Sequence, residues 1–256
     1  MKAGLPLWIQ RRFDPTQRYG LRASLFALAS LLVLVPFSYL LLQVISQGTI
    51  LEVDTGVAST MREAFRGSGP RLFAAKFVSF VGSPFWFYLI IPAAALFFLR
   101  RGRSRISLFL IITNLLGGAL NMAVKLSVAR PRPVLDDRLA EAFGKSFPSG
   151  HAFGTTVGYG TLLLAFMPLI ARRWRPACIA GYVSLVGLVS ASRLALGVHY
   201  LSDVAAGVVL GLAWLFLGTA AFSVWRVERG KEDVEIIEGI EPEIEPQSRQ
   251  QESNDV

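Results

Sequence analysis

From Leu21 to Ile45 the chain carries one charge, Arg22, at the very edge of an otherwise apolar run. About 20 such residues cross the ~30 Å hydrocarbon core of a bilayer. In lipid only a helix satisfies its own backbone within a single segment, so the run is expected to be a transmembrane helix. Five further runs read the same way: Ser83–Leu99, Ser107–Leu126, Ala152–Ile170, Cys178–Leu194 and Tyr200–Phe222. The fold class expected is therefore all-α, an integral membrane bundle of six transmembrane helices. The second span has an open start, since Gly82-Ser83-Pro84 suits either an N-terminal cap or a break, in which case the helix begins near Phe77. The stretch from Gly48 to Lys76 is mixed in polarity and is expected along the membrane interface. The first run is too long for a cleaved signal, and no small-residue cleavage site precedes Gln47, so it is read as a retained helix.

Composition agrees. Of 256 residues, 53% are hydrophobic and only 17% charged, where soluble domains carry roughly 25%. The net charge of +8 joins two unlike parts, +14 up to Trp225 and −6 from Arg226 onward. The second part, with Glu232, Glu235, Glu241, Glu243 and Glu245, has too little apolar surface to offset its ordering entropy. Residues 226–256 are expected as a disordered acidic tail behind a membrane domain of residues 1–225. A nucleic-acid partner, which the global charge would suggest, is thereby excluded. Cys178 stands alone, so neither an intrachain disulfide nor a cysteine zinc cluster is available.

Basic residues orient the bundle. Lys2, Arg11, Arg12, Arg18 and Arg22 precede the first span, and Arg100, Arg101, Arg103 and Arg105 follow the second. Arg172, Arg173 and Arg175 follow the fourth, and Arg226, Arg229 and Lys231 the sixth. These fifteen share one side, against ten on the other, which places both termini in the cytoplasm. Gly154/Gly158 and Gly207/Gly211, each four apart, suit close helix packing in lipid.

Three polar clusters fall on the extracytoplasmic side. Lys125 to Pro133 ends the third span, Pro148-Ser149-Gly150-His151 opens the fourth, and Ser192-Arg193, His199 and Asp203 bridge the fifth and sixth. Both histidines of the chain are included. His199 and Asp203 are four apart, one turn on a single helix face, so the carboxylate can hold one imidazole nitrogen and leave the other as a base or nucleophile. Lys125, Arg132 and Arg193 suit the oxygens of a phosphoryl group. Ser149 and Gly150 precede a helix whose N-terminal N–H groups can face an anion. His151 supplies an acid for a leaving oxygen. No metal-ligand spacing is visible, and fixed cations can neutralise phosphoryl charge in a metal's place. No cofactor is expected. Taken singly, each cluster has a structural reading, as snorkelling cations, a turn with an N-cap, or a polar bridge between helices.

The clusters resemble the three-part signature of the type 2 phosphatidate phosphatase (PAP2) superfamily: Lys-x6-Arg-Pro, Pro-Ser-Gly-His and Ser-Arg-x5-His-x3-Asp. All eleven fixed positions match in order, across residues 125–203. The resemblance implies a PAP2-like membrane lipid phosphatase without a metal. His199 would form a phosphohistidine, Asp203 would orient it, and His151 would protonate the leaving group. Lys125, Arg132, Ser149, Gly150 and Arg193 would bind phosphate. The implied substrates are phosphatidate, phosphatidylglycerophosphate, diacylglycerol pyrophosphate or undecaprenyl pyrophosphate. A lipid phosphotransferase would use the same site. A non-catalytic transporter of anionic lipids needs the cations but neither histidine, and the similar anion site of vanadium haloperoxidases occurs in soluble enzymes.

Overall fold

The computed structural model describes residues 21–133 and 144–228. The N-terminal arm, Arg138 and the expected tail from Arg229 onward lie outside the described residues.

Every regular element among the described residues is helical: α1 (Leu21–Leu32), α2 (Ser38–Ile45), α3 (Ile50–Phe65), α4 (Gly69–Val81), α5 (Pro84–Arg100), α6 (Ser104–Val128), α7 (Gly150–Phe166), α8 (Arg175–Ala195) and α9 (Leu201–Glu228). α9 continues past the domain end expected at Trp225. A π-helical turn at Val33–Phe37 joins α1 and α2 around Pro36. Proline has no N–H to give the preceding turn, and the Val33 carbonyl accepts both the Ser38 N–H and, at 2.7 Å, the Ser38 hydroxyl. α1 and α2 thus form one apolar span.

Five segments are long and apolar enough to cross a membrane: Ala23–Ile45, Ser104–Val128, Gly150–Leu169, Arg172–Ala195 and Leu201–Phe222. The remaining expected span differs from a straight helix. It is the pair α4 and α5, bent by 42° between Val81 and Pro84. Both readings of Gly82-Ser83-Pro84 are realised together. Ser83 caps α5, accepting from the Trp86 N–H at 3.2 Å, and Pro84 opens the helix where an N–H would have no partner. A β-carbon at Gly82 would stand 2.4 Å from Val189 Cγ1 and 2.6 Å from Thr155 Oγ1. Glycine alone lets this elbow press against α7 and α8.

The exterior is apolar, with Leu34, Phe85 and Leu115 about 70% exposed, as a lipid-facing surface requires. α7 lies in the middle, packed against α5, α6, α8 and α9. Small residues set these distances. A β-carbon at Gly207 would lie 2.6 Å from the Ser149 carbonyl oxygen, and one at Gly211 2.9 Å from Thr156 Cβ. Gly158 makes room for Phe87 of α5. One apolar core, around Phe98, Ile106, Phe109 and Leu110, fills one end of the bundle. A second, around Phe147, Phe153, Val157 and Leu210, supports the other. At that second end, α3 and α4 pack on α8, and α3 also on α9.

Candidate active site

The three sequence clusters meet at the end of the bundle covered by α3 and α4, where α6 and α8 finish and α7 and α9 begin. Below them opens a cavity of about 670 Å³. Lys125, Arg132, Gly150, His151, Arg193 and His199 all line it. Ser149 and Asp203, fully buried, stand behind its wall. From the polar end the cavity runs between α5, α6 and α7 along Phe87, Ile91, Leu115 and Met122. Tyr88 and Leu115, on its rim, are among the most exposed large hydrophobic side chains of the described residues.

Each cation is fixed by a carbonyl or a hydroxyl. Lys125 Nζ, in the last turn of α6, donates to the carbonyls of Lys145 at 3.0 Å and Pro148 at 2.9 Å. Arg132 donates to the Gly144 carbonyl at 3.0 Å and to the Val198 carbonyl at 2.7 Å. Arg193 donates through Nη1 to the Ser79 hydroxyl of α4. Its Nε is buried with no hydrogen-bond partner among the described residues, a strong donor left over on the cavity wall.

Ser149 is the N-cap of α7, its hydroxyl accepting from the Ala152 N–H at 3.5 Å. The Ser149 N–H in turn donates to the Asp203 carbonyl at 2.9 Å. The cap leaves the hydroxyl's own O–H free of that bond, and the cavity meets this turn at Gly150 and His151.

His199 sits differently from expectation. It precedes α9, on the turn after α8 where Gly197 takes a left-handed φ of 68°, a conformation glycine adopts without cost. Asp203 is in the first turn of α9 and reaches back, its Oδ2 accepting from the Tyr200 N–H at 2.9 Å. That is the return half of a capping box. His199 and Asp203 are thus a turn residue and a capping residue, with Nδ1 and Oδ2 3.4 Å apart.

On the other side of the ring, Arg132 Nη1 lies 3.1 Å from His199 Nε2. A guanidinium only donates, so Nε2 presents its lone pair and Nδ1 carries the proton towards Asp203. Burial, together with the Arg132 and Arg193 cations, pushes the His199 imidazole down to about 4 against the opposing pull of Asp203.

Three contributors were not picked out by sequence. The Ser146 hydroxyl donates to Asp203 Oδ2. Arg130 Nη1 donates to Asp203 Oδ1 at 2.7 Å. Arg130 Nη2 donates to Asp54 Oδ2 of α3 at 2.8 Å. Arg130 lies inside the Lys125–Pro133 cluster but is not one of the eleven signature positions. A charge count would have pointed to it: three cations gathered around Asp203 call for a second buried acid, and Asp54 is one of few in the first 225 residues. Among the described residues, no group of three or more His, Cys, Asp or Glu converges as metal ligands would.

The sequence model of the PAP2 superfamily matches residues 106–226, which include all eleven signature positions. Over these residues, just under half of the chain, it is similar to the PAP2 superfamily. Similar curated proteins are a phosphatidylglycerophosphatase B of Bacillus subtilis, 32% identical over 133 residues, and an undecaprenyl-diphosphatase of Sulfolobus acidocaldarius, 32% identical over 136. A lipid A 1-phosphatase of Rhizobium johnstonii is 36% identical over 126 residues. These matches take in 50%, 50% and 46% of this chain and 63%, 60% and 48% of the relatives, less than two thirds of each. The PAP2 fold is shared with the crystal structure of a transmembrane PAP2-type phosphatidylglycerolphosphate phosphatase from Bacillus subtilis. The TM-score is 0.63 at 22% identity, over 73% of this chain and 94% of that one.

Proposed function

We propose that this chain hydrolyses a phosphomonoester or pyrophosphate of a membrane lipid, through a phosphohistidine on His199. The observation that carries the reading is the cavity: two histidines and three cations at one end, apolar walls running to the lipid-facing surface at the other. A phosphorylated headgroup fits the first part and its hydrocarbon chain the second. The names of the relatives point to the same substrate class.

Lys125, Arg132 and Arg193 take the non-bridging phosphate oxygens, and the N–H groups at the start of α7 assist. As phosphate occupies Arg132, Nε2 of His199 is released to attack phosphorus. The bond to the lipid oxygen breaks while His151 delivers a proton to that oxygen. In the second step His151 withdraws a proton from water, the water oxygen attacks phosphorus, and the N–P bond breaks. Inorganic phosphate leaves and both imidazoles are restored. Asp203 holds the Nδ1 proton throughout and offsets the charge that develops on the ring. The fixed cations neutralise the phosphoryl charge, so no metal is required. On the distribution of basic residues, this end of the bundle faces away from the cytoplasm and both termini face it.

The test is phosphate release by protein purified in detergent, with EDTA present, from phosphatidylglycerophosphate, phosphatidate and undecaprenyl diphosphate. At least one is cleaved by the wild type and none by His199→Ala. Activity in His199→Ala removes the nucleophile assignment, and loss in EDTA removes the metal-free mechanism.

A further inference from the structure

We infer that Asp54 and Arg130 are positioning residues for the reaction, a second carboxylate coupled through one guanidinium to Asp203 so that the imidazole of His199 faces a net negative charge. The inference rests on the reading of His199 as nucleophile.

The geometry is a closed bridge between three elements far apart in sequence. Ala129, after α6, takes a left-handed φ of 52°, uncommon for a residue with a β-carbon. It turns the chain so that Arg130 enters the protein below Asp203. There one guanidinium nitrogen donates to Asp203 at 2.7 Å and the other to Asp54 at 2.8 Å. Its face lies 4.2 Å from the centre of the Tyr200 ring. Ser202 fills the junction, accepting from Arg130 Nη1 at 2.7 Å and donating to Asp54 Oδ2 at 2.5 Å. Asp54 Oδ1 also accepts the Ser202 N–H at 2.9 Å. Asp54, Arg130, Ser202 and Asp203 are all more than 90% buried.

Two consequences follow for His199. The first is positional. Arg130 occupies Oδ1 of Asp203, so the carboxylate presents Oδ2 to the imidazole, where Ser146 and the Tyr200 N–H hold it. The second is electrostatic. His199 is faced by Asp203, Arg132, Arg193, Lys125 and His151, with only Asp203 negative. Arg130 alone would cancel that charge. Asp54 restores it, since two carboxylates and one guanidinium sum to one negative charge. An imidazole that must gain positive character on attack needs that excess.

A purely structural tie between α3 and α9 would share the hydrogen bonds but not the signed dependence on charge. The acid limb of kcat, measured with one substrate for every variant, separates the two. Asp54→Asn leaves the pair neutral, and the limb moves down by about one pH unit while kcat falls about tenfold. Arg130→Gln leaves two negative charges, and the limb moves up by a similar amount. The double variant Asp54→Asn/Arg130→Gln again leaves one, so its limb returns to the wild-type position and its kcat exceeds that of Asp54→Asn. KM stays within about twofold in all three, as expected for residues that do not touch substrate.

Limbs that stay at the wild-type position in both single variants overturn the inference, as does a double variant no better than the sum of its parts. If Asp54→Asn does not accumulate as folded protein, Arg130→Gln and the double variant decide by the same limbs. His199→Ala is run alongside. If it is active, the nucleophile reading has failed. If it is dead while the limbs stay fixed, only the role of Asp54 and Arg130 has failed.

Discussion

Arg132 Nη1 approaches His199 Nε2 to 3.1 Å, and the contact is possible only while that nitrogen is unprotonated. A cation therefore guards the lone pair on which the proposed chemistry depends. Burial, aided by Arg132 and Arg193, holds the imidazole down at about 4. Activity should persist as pH falls from about 7 to about 5 and collapse as it approaches 4, when His199 takes a proton. Stability follows the same sign. The folded value lies below the ordinary one of about 6.5, so the unfolded chain binds the proton first and stability declines from about pH 6.5 downward. A kcat/KM profile and thermal unfolding in detergent, over the same pH range, check both.

His151 is assigned to the leaving group, which makes its loss depend on the leaving group's basicity. His151→Ala should lower phosphate release from a lipid monoester by about 100-fold or more. With p-nitrophenyl phosphate, whose leaving group needs no proton, the first step should be largely spared. A rapid burst of p-nitrophenol followed by slow turnover is the expected trace. Equal losses on both substrates without a burst would remove His151 from the acid role.

Helix contact at the site is set by hydrogen where other residues have carbon. Gly207→Ala places a methyl group 2.6 Å from the Ser149 carbonyl, so α7 and α9 must part. A cost of about 1–3 kcal/mol is expected, together with reduced activity, because Ser149 and Gly150 move. Gly181→Ala and Gly187→Ala on α8 meet nothing within 4 Å and should be neutral or slightly stabilising, since alanine favours helix by up to ~1 kcal/mol. Melting temperatures of the three variants test the contrast.

The sidedness rests on charge alone and is open to labelling. In a Cys178→Ser background, a cysteine at exposed Lys145 should react with an impermeant thiol reagent applied to intact cells, and one at exposed Arg101 only after lysis. The reverse pattern would invert the topology.

The five long spans were legible because each carries enough apolar length to define itself. The signature was legible because its spacings are local, within nine residues in Lys125–Pro133 and four in Pro148–His151. What failed to show was tertiary. Asp54 contacts a residue 148 positions away, and nothing around it on a mixed-polarity helix marks it as buried. The expectation of a helical His199–Asp203 face missed because spacing by four does not say where a helix starts. Gly197 and the capping role of Asp203 put His199 just outside α9. The elbow at Gly82 was half legible, since Ser83-Pro84 signals a helix start, while its 42° bend depends on Val189 and Thr155 from other helices.

The cavity whose rim carries Tyr88 and Leu115 has one further consequence, for how such a protein would be measured. A ligand that slides in between α5 and α6 arrives sideways, within the sheet of lipid, and never passes through water. What fills the site is then the ligand's share of the surrounding amphiphile and not its molarity. Adding micelles at fixed enzyme and ligand would slow turnover by dilution in two dimensions.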